Sequence, residues 1–184
     1  RDWSSDVCSS DLLEFCSNCG EKNEFGNSEG RNRFHCAHCG AIHYENPKPA
    51  ATLICPKDDY ILLVKRAFEP AKGAWSLPGG FMELNETIEM TAERELLEET
   101  ALKGKVKNRL GHCSHYNTVF GDVLLIGFIV FIESFSNLTP GDDASEAELF
   151  YIDNLPPVAF PCHQKFLDMY LQKINHKPGG KDKQ

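Results

Sequence analysis

Between residues 78 and 102 the chain reads PGGFMELNETIEMTAERELLEETAL, and no other stretch restricts the fold as much. Pro78-Gly79-Gly80 is a turn signal. Thr87 can cap the backbone of a helix that the pattern predicts as far as Thr100. With residues about 100° apart around that helix, Ile88 and Ala92 define its inward stripe. Glu99 falls between their directions, Glu95 sits slightly to one side, and Glu98 lies further round beside Arg94, its i−4 neighbour. An acidic run on a helix is ordinarily a solvated face, and a solvated face would put these carboxylates opposite the stripe rather than in line with it. Like charges held half-buried raise each other's pKa unless something positive intervenes. A Mg²⁺ or Mn²⁺ ion supplies that charge, and a hard cation held by carboxylates suits cleavage of a phosphoanhydride. Glu95 and Glu99, one turn apart, can share an ion. Glu98 can hold a second or orient its water, and the carbonyl of Gly79 or Gly80 is a further oxygen ligand.

The rest of the composition narrows the partners. Net charge is −8 with no long basic run, which argues against nucleic-acid binding by phosphate neutralisation and for a small-molecule substrate. The longest strongly apolar run, 123–132, is about half of what a membrane-spanning helix needs and reads as a buried central strand. Nothing resembles a cleaved secretory signal, and a cytoplasmic location is expected. Residues 1–12, RDWSSDVCSSDL, lack Met and any structural period. They resemble translated sequencing adapter or a disordered leader, and are left out of the fold reasoning.

Eight cysteines do not here imply a disulfide scaffold. Cys16-Ser-Asn-Cys19-Gly20 and Cys36-Ala-His-Cys39-Gly40 are two matching turns separated by sixteen residues. Four thiolates on two such knuckles can surround one tetrahedral Zn²⁺, and the trailing glycines tolerate the positive φ that knuckles need. A redox pair needs no duplicate, and an intracellular chain keeps its thiols reduced rather than bridged. The zinc site is closed, hence structural. His35, His38 and His43 flank it as surface residues. Cys55, Cys113 and Cys162 read as buried free thiols.

The expected organisation is a zinc ribbon over 13–44, a second domain over 45–176 and a disordered tail over 177–184. In the second domain, runs 51–55 and 61–65 around Pro-Lys-Asp-Asp read as a hairpin. Short runs 75–77 and 81–83 flank the Pro-Gly-Gly turn, and strands follow at 104–116, 123–133 and 148–152. An amphipathic helix spans 161–174, with Phe166, Met169, Tyr170 and Ile174 at helical spacing. Strands mixed with two helices make an α/β domain.

The spacing of Gly80, Glu86 and Arg94-Glu95-Leu96-Leu97-Glu98-Glu99 resembles the signature box of the Nudix hydrolases, with Ala101 where the family usually has glycine. The resemblance implies an α/β/α sandwich with a mixed sheet, and Glu86 bracing Arg94 to shape the loop. It also implies a further carboxylate from a loop after the box, which could complete a metal shell or act as base. Glu146 is the choice, against Glu148, Asp142 and Asp143; in some members Glu95 is the base instead. The implied reaction is metal-assisted attack of water on a pyrophosphate of a dinucleotide or nucleotide sugar. Two ribbon-bearing groups are similar: NADH pyrophosphatases, and a group acting on ADP-ribose and FAD. The first carries a Ser-Gln-Pro-Trp-Pro-Phe-Pro run that 103–117 lacks. The stretch His43-Tyr44-Glu45-Asn46-Pro47-Lys48-Pro49 with Arg66, Gly73-Ala74-Trp75 and Leu77 to Glu83 resembles the second, which favours ADP-ribose or FAD. Arg66 and Lys72 could meet a phosphate. Tyr116 is the first choice for stacking on a base among Phe68, Trp75, Phe81 and Phe120. The competing class is a non-catalytic nucleotide sensor. The complete set of glutamates favours catalysis, and the ribbon mixes Lys22, Arg31 and Arg33 with Glu21, Glu24 and Glu29, so it has no basic face. A homodimer built through the ribbon is compatible with either.

Overall fold

The computed structural model describes residues 13–175; the expected leader and the expected tail lie outside the described residues. Those residues divide into two compact units, one of 13–47 with Tyr116–Asp122, the other of Lys48–His115 with 123–175.

In the first unit β1 (Glu24–Ser28), β2 (Arg31–His35) and β3 (Ile42–His43) form an antiparallel sheet. The two knuckles close tightly: Gly20 N–H donates to Cys16 O and Gly40 N–H to Cys36 O. Gly20 and Gly40 stand at φ 79° and 74°, as the sequence demanded.

The second unit is built on β4 (Lys48–Ile54), β5 (Pro56–Lys57), β6 (Tyr60–Arg66), β7 (Trp75–Ser76), β8 (Gly104–Thr118), β9 (Gly121–Ile132) and β10 (Ala144–Tyr151), with α1 (Ile88–Thr100) and α2 (Pro161–Asn175). One sheet runs β4-β9-β8, with β4 and β9 parallel; the other runs β10-β6-β5, with β7 on β6. Alternate residues of β4, β6 and β9 serve two cores, because successive side chains of a strand point to opposite faces. Ala50, Ile54, Ile61, Leu63, Val123 and Leu125 pack with Phe166, Leu167 and Tyr170 of α2. Ala51, Leu53, Leu62, Phe128 and Val130 pack with Ala92 and Leu96 of α1. Strand layers with a helix on each face make the α/β/α sandwich with a mixed sheet that the resemblance implied. Phe166 is fully buried over Gly127, where a Cβ would come within 2.5 Å of its ring. Truncating such a side chain costs about 3–5 kcal/mol.

The expected hairpin between 51–55 and 61–65 is corrected. β4 pairs with β9 along one edge and with the 78–82 segment along the other, so neither edge is left for β6. The true hairpin is β5–β6, which turns at Asp58-Asp59 with Asp58 at φ 52°. A single link, Leu62 N–H to Cys55 O at 3.1 Å, ties the two sheets there. The expected strand 148–152 also begins earlier, at Ala144. Among the described residues no helix is long and apolar enough to cross a membrane.

Candidate active site

The turn at 78–80 lies along β4 as if it were another strand. Leu53 N–H donates to Pro78 O and Ala51 N–H to Gly80 O, both at 2.9 Å. Alternation then turns the Gly79 carbonyl away from β4, leaving it the freer of the two carbonyl ligands proposed above. Gly79 has φ 142°, and a Cβ on it would run into the Ala51 carbonyl. A Cβ on Gly80 would lie 2.5 Å from the Glu95 carboxylate. Only glycine lets the turn fit between β4 and α1.

α1 starts where the sequence placed it, with the Thr87 hydroxyl accepting from Met90 N–H. Thr91, Ala92, Leu96, Glu99 and Thr100 are its buried residues, so Glu99 does sit on the apolar side. Glu99 is 5 % exposed, and its Oε2 accepts a hydrogen bond from Gly79 N–H at 2.9 Å. Burial pushes its pKa well above the usual carboxylate range, with Asp143 and Glu95 adding repulsion and the Gly79 N–H opposing. Glu95 is also raised, first by burial, against the pull of Arg94.

Arg94 gathers the remaining box carboxylates. Its Nε and Nη2 donate to the two oxygens of Glu86 at 2.7 and 3.1 Å, its Nη1 to Glu95 at 2.7 Å and to Glu98 at 2.9 Å, and Nη2 also to Phe81 O at 2.9 Å. Paired this way, Glu86 is held down to about 2, chiefly by the Arg94 bonds, with help from the Glu83 backbone and the Thr91 hydroxyl. Thr91, which donates to Glu86 at 2.8 Å, went unnoticed in the sequence; its place one turn after the capping Thr87, next to Glu86, was the available signal.

The structure places the candidate loop carboxylates differently from one another. Glu146 lies within β10, opposite Lys65, and forms a 3.0 Å ion pair with it. Asp143 is the loop residue whose charge bears on both Glu99 and Glu95, raising the pKa of each. The loop is brought there by the end of α1: Thr139 N–H donates to Thr100 O and Gly141 N–H to Glu99 O. A Cβ on Gly141 would fall 2.5 Å from the Glu98 carbonyl, so the Pro140-Gly141 pair before Asp142-Asp143 was the readable clue.

Arg66 ends β6 next to this loop: it pairs with Ala144, and Ala67 N–H donates to Asp143 O at 2.7 Å. Its Nε is held by Pro70 O at 2.7 Å and its guanidinium lies 5.3 Å from the centre of the Phe160 ring. Trp75 and Phe81 pack against the core, and Phe68 is exposed. Tyr116, 64 % exposed, belongs to the ribbon's unit and is not among the residues gathered in this one.

In the ribbon, one donor atom from each of Cys16, Cys19, Cys36 and Cys39 lies within 4.8 Å of the others. The pairs Cys16–Cys39 and Cys19–Cys36 stand 3.6 and 3.5 Å apart. A tetrahedron with Zn–S bonds of about 2.3 Å has S–S edges near 3.8 Å, so the set fits zinc. The carboxylates are less converged, because Glu95 and Glu98 each give one oxygen to Arg94. The donor chemistry still fits a hard divalent ion, with a buried, poorly compensated Glu99 at its centre.

Comparison with known proteins gives the same outline. The NUDIX domain model matches residues 46–170, and the Nudix N-terminal zinc-ribbon model matches 14–45. The chain is 44 % identical over 133 residues to an ADP-ribose pyrophosphatase of Methanocaldococcus jannaschii, covering 72 % of this chain and 78 % of that one. It is 28 % identical to the NAD-capped RNA hydrolase NudC of Vibrio cholerae, over 82 % of this chain and 54 % of that protein, so it spans about half of that relative's length. A Nudix hydrolase of Nitrosomonas europaea superposes with a TM-score of 0.79 at 32 % identity, covering 89 % of this chain and 93 % of that one. With box, ribbon and sandwich all in place, the chain belongs to the Nudix hydrolase family.

Proposed function

We propose that this enzyme hydrolyses the pyrophosphate bond of ADP-ribose or FAD with Mg²⁺ or Mn²⁺, and that the ribbon holds a structural Zn²⁺. The observation that carries the reading is Glu99, buried against Gly79 N–H with Glu95 and Asp143 beside it. The pyrophosphatase from Methanocaldococcus supports ADP-ribose as the first substrate to try. Glu95, Glu98, Glu99 and the Gly79 carbonyl would hold the divalent ions, with Asp143 completing the set. The bound ions supply charge neutralisation for the diphosphate and make water more acidic.

The chain's own groups do the rest. Arg94, fixed by Glu86, keeps Glu95 and Glu98 oriented and stops them from repelling each other. A carboxylate of this set that is not bound to an ion would take the proton of the attacking water. Arg66, steadied by Pro70 O and Phe160, meets a substrate phosphate. Attack in line on one phosphorus releases AMP from either substrate.

The test is AMP release from ADP-ribose, FAD and NADH with Mg²⁺ or Mn²⁺. Turnover of ADP-ribose or FAD is expected, with Glu99→Gln lowering kcat by about 10²–10⁴-fold. Turnover of NADH alone would move the substrate to the NADH group, and no turnover of any of the three would overturn the reading.

A further inference from the structure

We propose that His163 is a positioning residue for this site: from the first turn of α2 it holds the Leu77 backbone N–H, and through the 78–80 turn it fixes the Gly79 N–H that orients Glu99. This rests on the reading of Glu99 as a metal ligand. Leu77 N–H donates to His163 Nδ1 at 3.1 Å, and two residues on, Gly79 N–H donates to Glu99.

The support behind His163 is rigid. Cys162, Phe166, Leu167 and Tyr170 bury the same side of α2, and Phe166 is seated directly on Gly127. The segment entering α2 is zipped to β7: Val158 bridges Trp75, and Ala159 N–H donates to Trp75 O at 2.7 Å. The Phe160 ring meets the imidazole edge-on at 5.2 Å. An imidazole that accepts at Nδ1 must be neutral and carry its proton on Nε2. Burial, with Arg66 and His115 nearby, holds the His163 pKa down to about 3 and so keeps the acceptor available. A histidine buried in a core could in principle be packing alone. Packing does not require a lone pair aimed at the one backbone N–H that precedes Pro78.

The experiment compares His163→Asn, His163→Gln and His163→Leu in the zinc-loaded full chain. Asn places an oxygen near the site of Nδ1, Gln carries its oxygen one bond too far, and Leu offers none. Two readouts are used: hydrogen exchange of the amides at 77–81 in the protein free of Mg²⁺ and Mn²⁺, and Mn²⁺ affinity from the resonance of the free ion. Loss of one buried hydrogen bond should speed that exchange and weaken Mn²⁺ binding about 5–10-fold in the Gln and Leu variants. The Asn variant should stay within about twofold of wild type by the same reasoning. If the Leu variant does not fold, the contrast between Asn and Gln decides. Exchange and Mn²⁺ affinity unchanged in the Gln variant, or lost equally in the Asn variant, overturns the proposal. Faster exchange in Gln and Leu with no Mn²⁺ bound by wild type upholds His163's hold on the turn and sinks the metal-site reading instead.

Discussion

At the scale of single residues, the site is a balance between burial and charge. Glu99 keeps one backbone donor and sits among carboxylates, while Glu86 has a bidentate guanidinium to itself. Their pKa values therefore move in opposite directions. A carboxyl raised in the folded state contributes stability that is present below its unfolded pKa and lost as pH rises through its folded value. Glu99 and Glu95 act in that sense. Glu86 does the reverse, and its contribution disappears only as pH falls from the ordinary range toward about 2. The metal-free protein is thus expected to lose stability as pH rises through the raised carboxyls, and so to melt at a lower temperature on the alkaline side. Added Mg²⁺ should raise the melting temperature most at the higher pH. Glu99→Gln should stabilise the metal-free protein near pH 8 and flatten the dependence while lowering activity. Thermal scans across pH, with and without Mg²⁺, would measure this; a Glu99→Gln protein less stable than wild type without metal would contradict it.

At the scale of elements, α1 carries Arg94, Glu95, Glu98 and Glu99, and its two ends set their geometry. Its start was readable in Thr87, because a capping hydroxyl is a local device. Its end is Ala101, in the left-handed region at φ 56°, with its N–H donating to Leu97 O at 2.9 Å. A Cβ is disfavoured there, and glycine, the residue more usual in the family, is not. Allowing for the greater freedom of glycine when unfolded, Ala101→Gly should raise stability by about 0.5–1 kcal/mol, seen as a higher denaturant midpoint at unchanged slope. Helices and caps were legible because their signals lie within a few residues. The arms of the β5–β6 hairpin were not: β4 and β6 are both short and apolar, and only their partners distinguish them. The setting of Glu146 was illegible for a similar reason, since nothing local shows that β10 starts at Ala144 and that Lys65 lies opposite.

For the whole molecule, the two units have separate sources of stability. The second has two cores around α1 and α2. The first has three short strands and four cysteines, among which only Cys16 and Cys36 are buried apolar groups. A unit that small needs a staple, and structural zinc supplies roughly 10–16 kcal/mol of binding free energy. Removing zinc with a strong chelator is expected to release one Zn²⁺ per chain and to unfold the ribbon while the second unit keeps its cooperative melting transition. Metal release followed by a chromogenic chelator, together with calorimetry, would record both. Light scattering of the same samples tests whether the ribbon makes a homodimer.

The sequence by itself determined the knuckles, the turn, the capped helix and the direction in which Glu95 and Glu99 face, because each depends on residues close together in the chain. Tertiary structure alone decided that the charge of Asp143 bears on Glu99, since the loop that carries it is docked on the end of α1 through Gly141. It likewise decided that a histidine some eighty residues away, His163, holds the backbone in front of Gly79. Contacts of that range depend on how sheets and helices pack, and no local pattern encodes them.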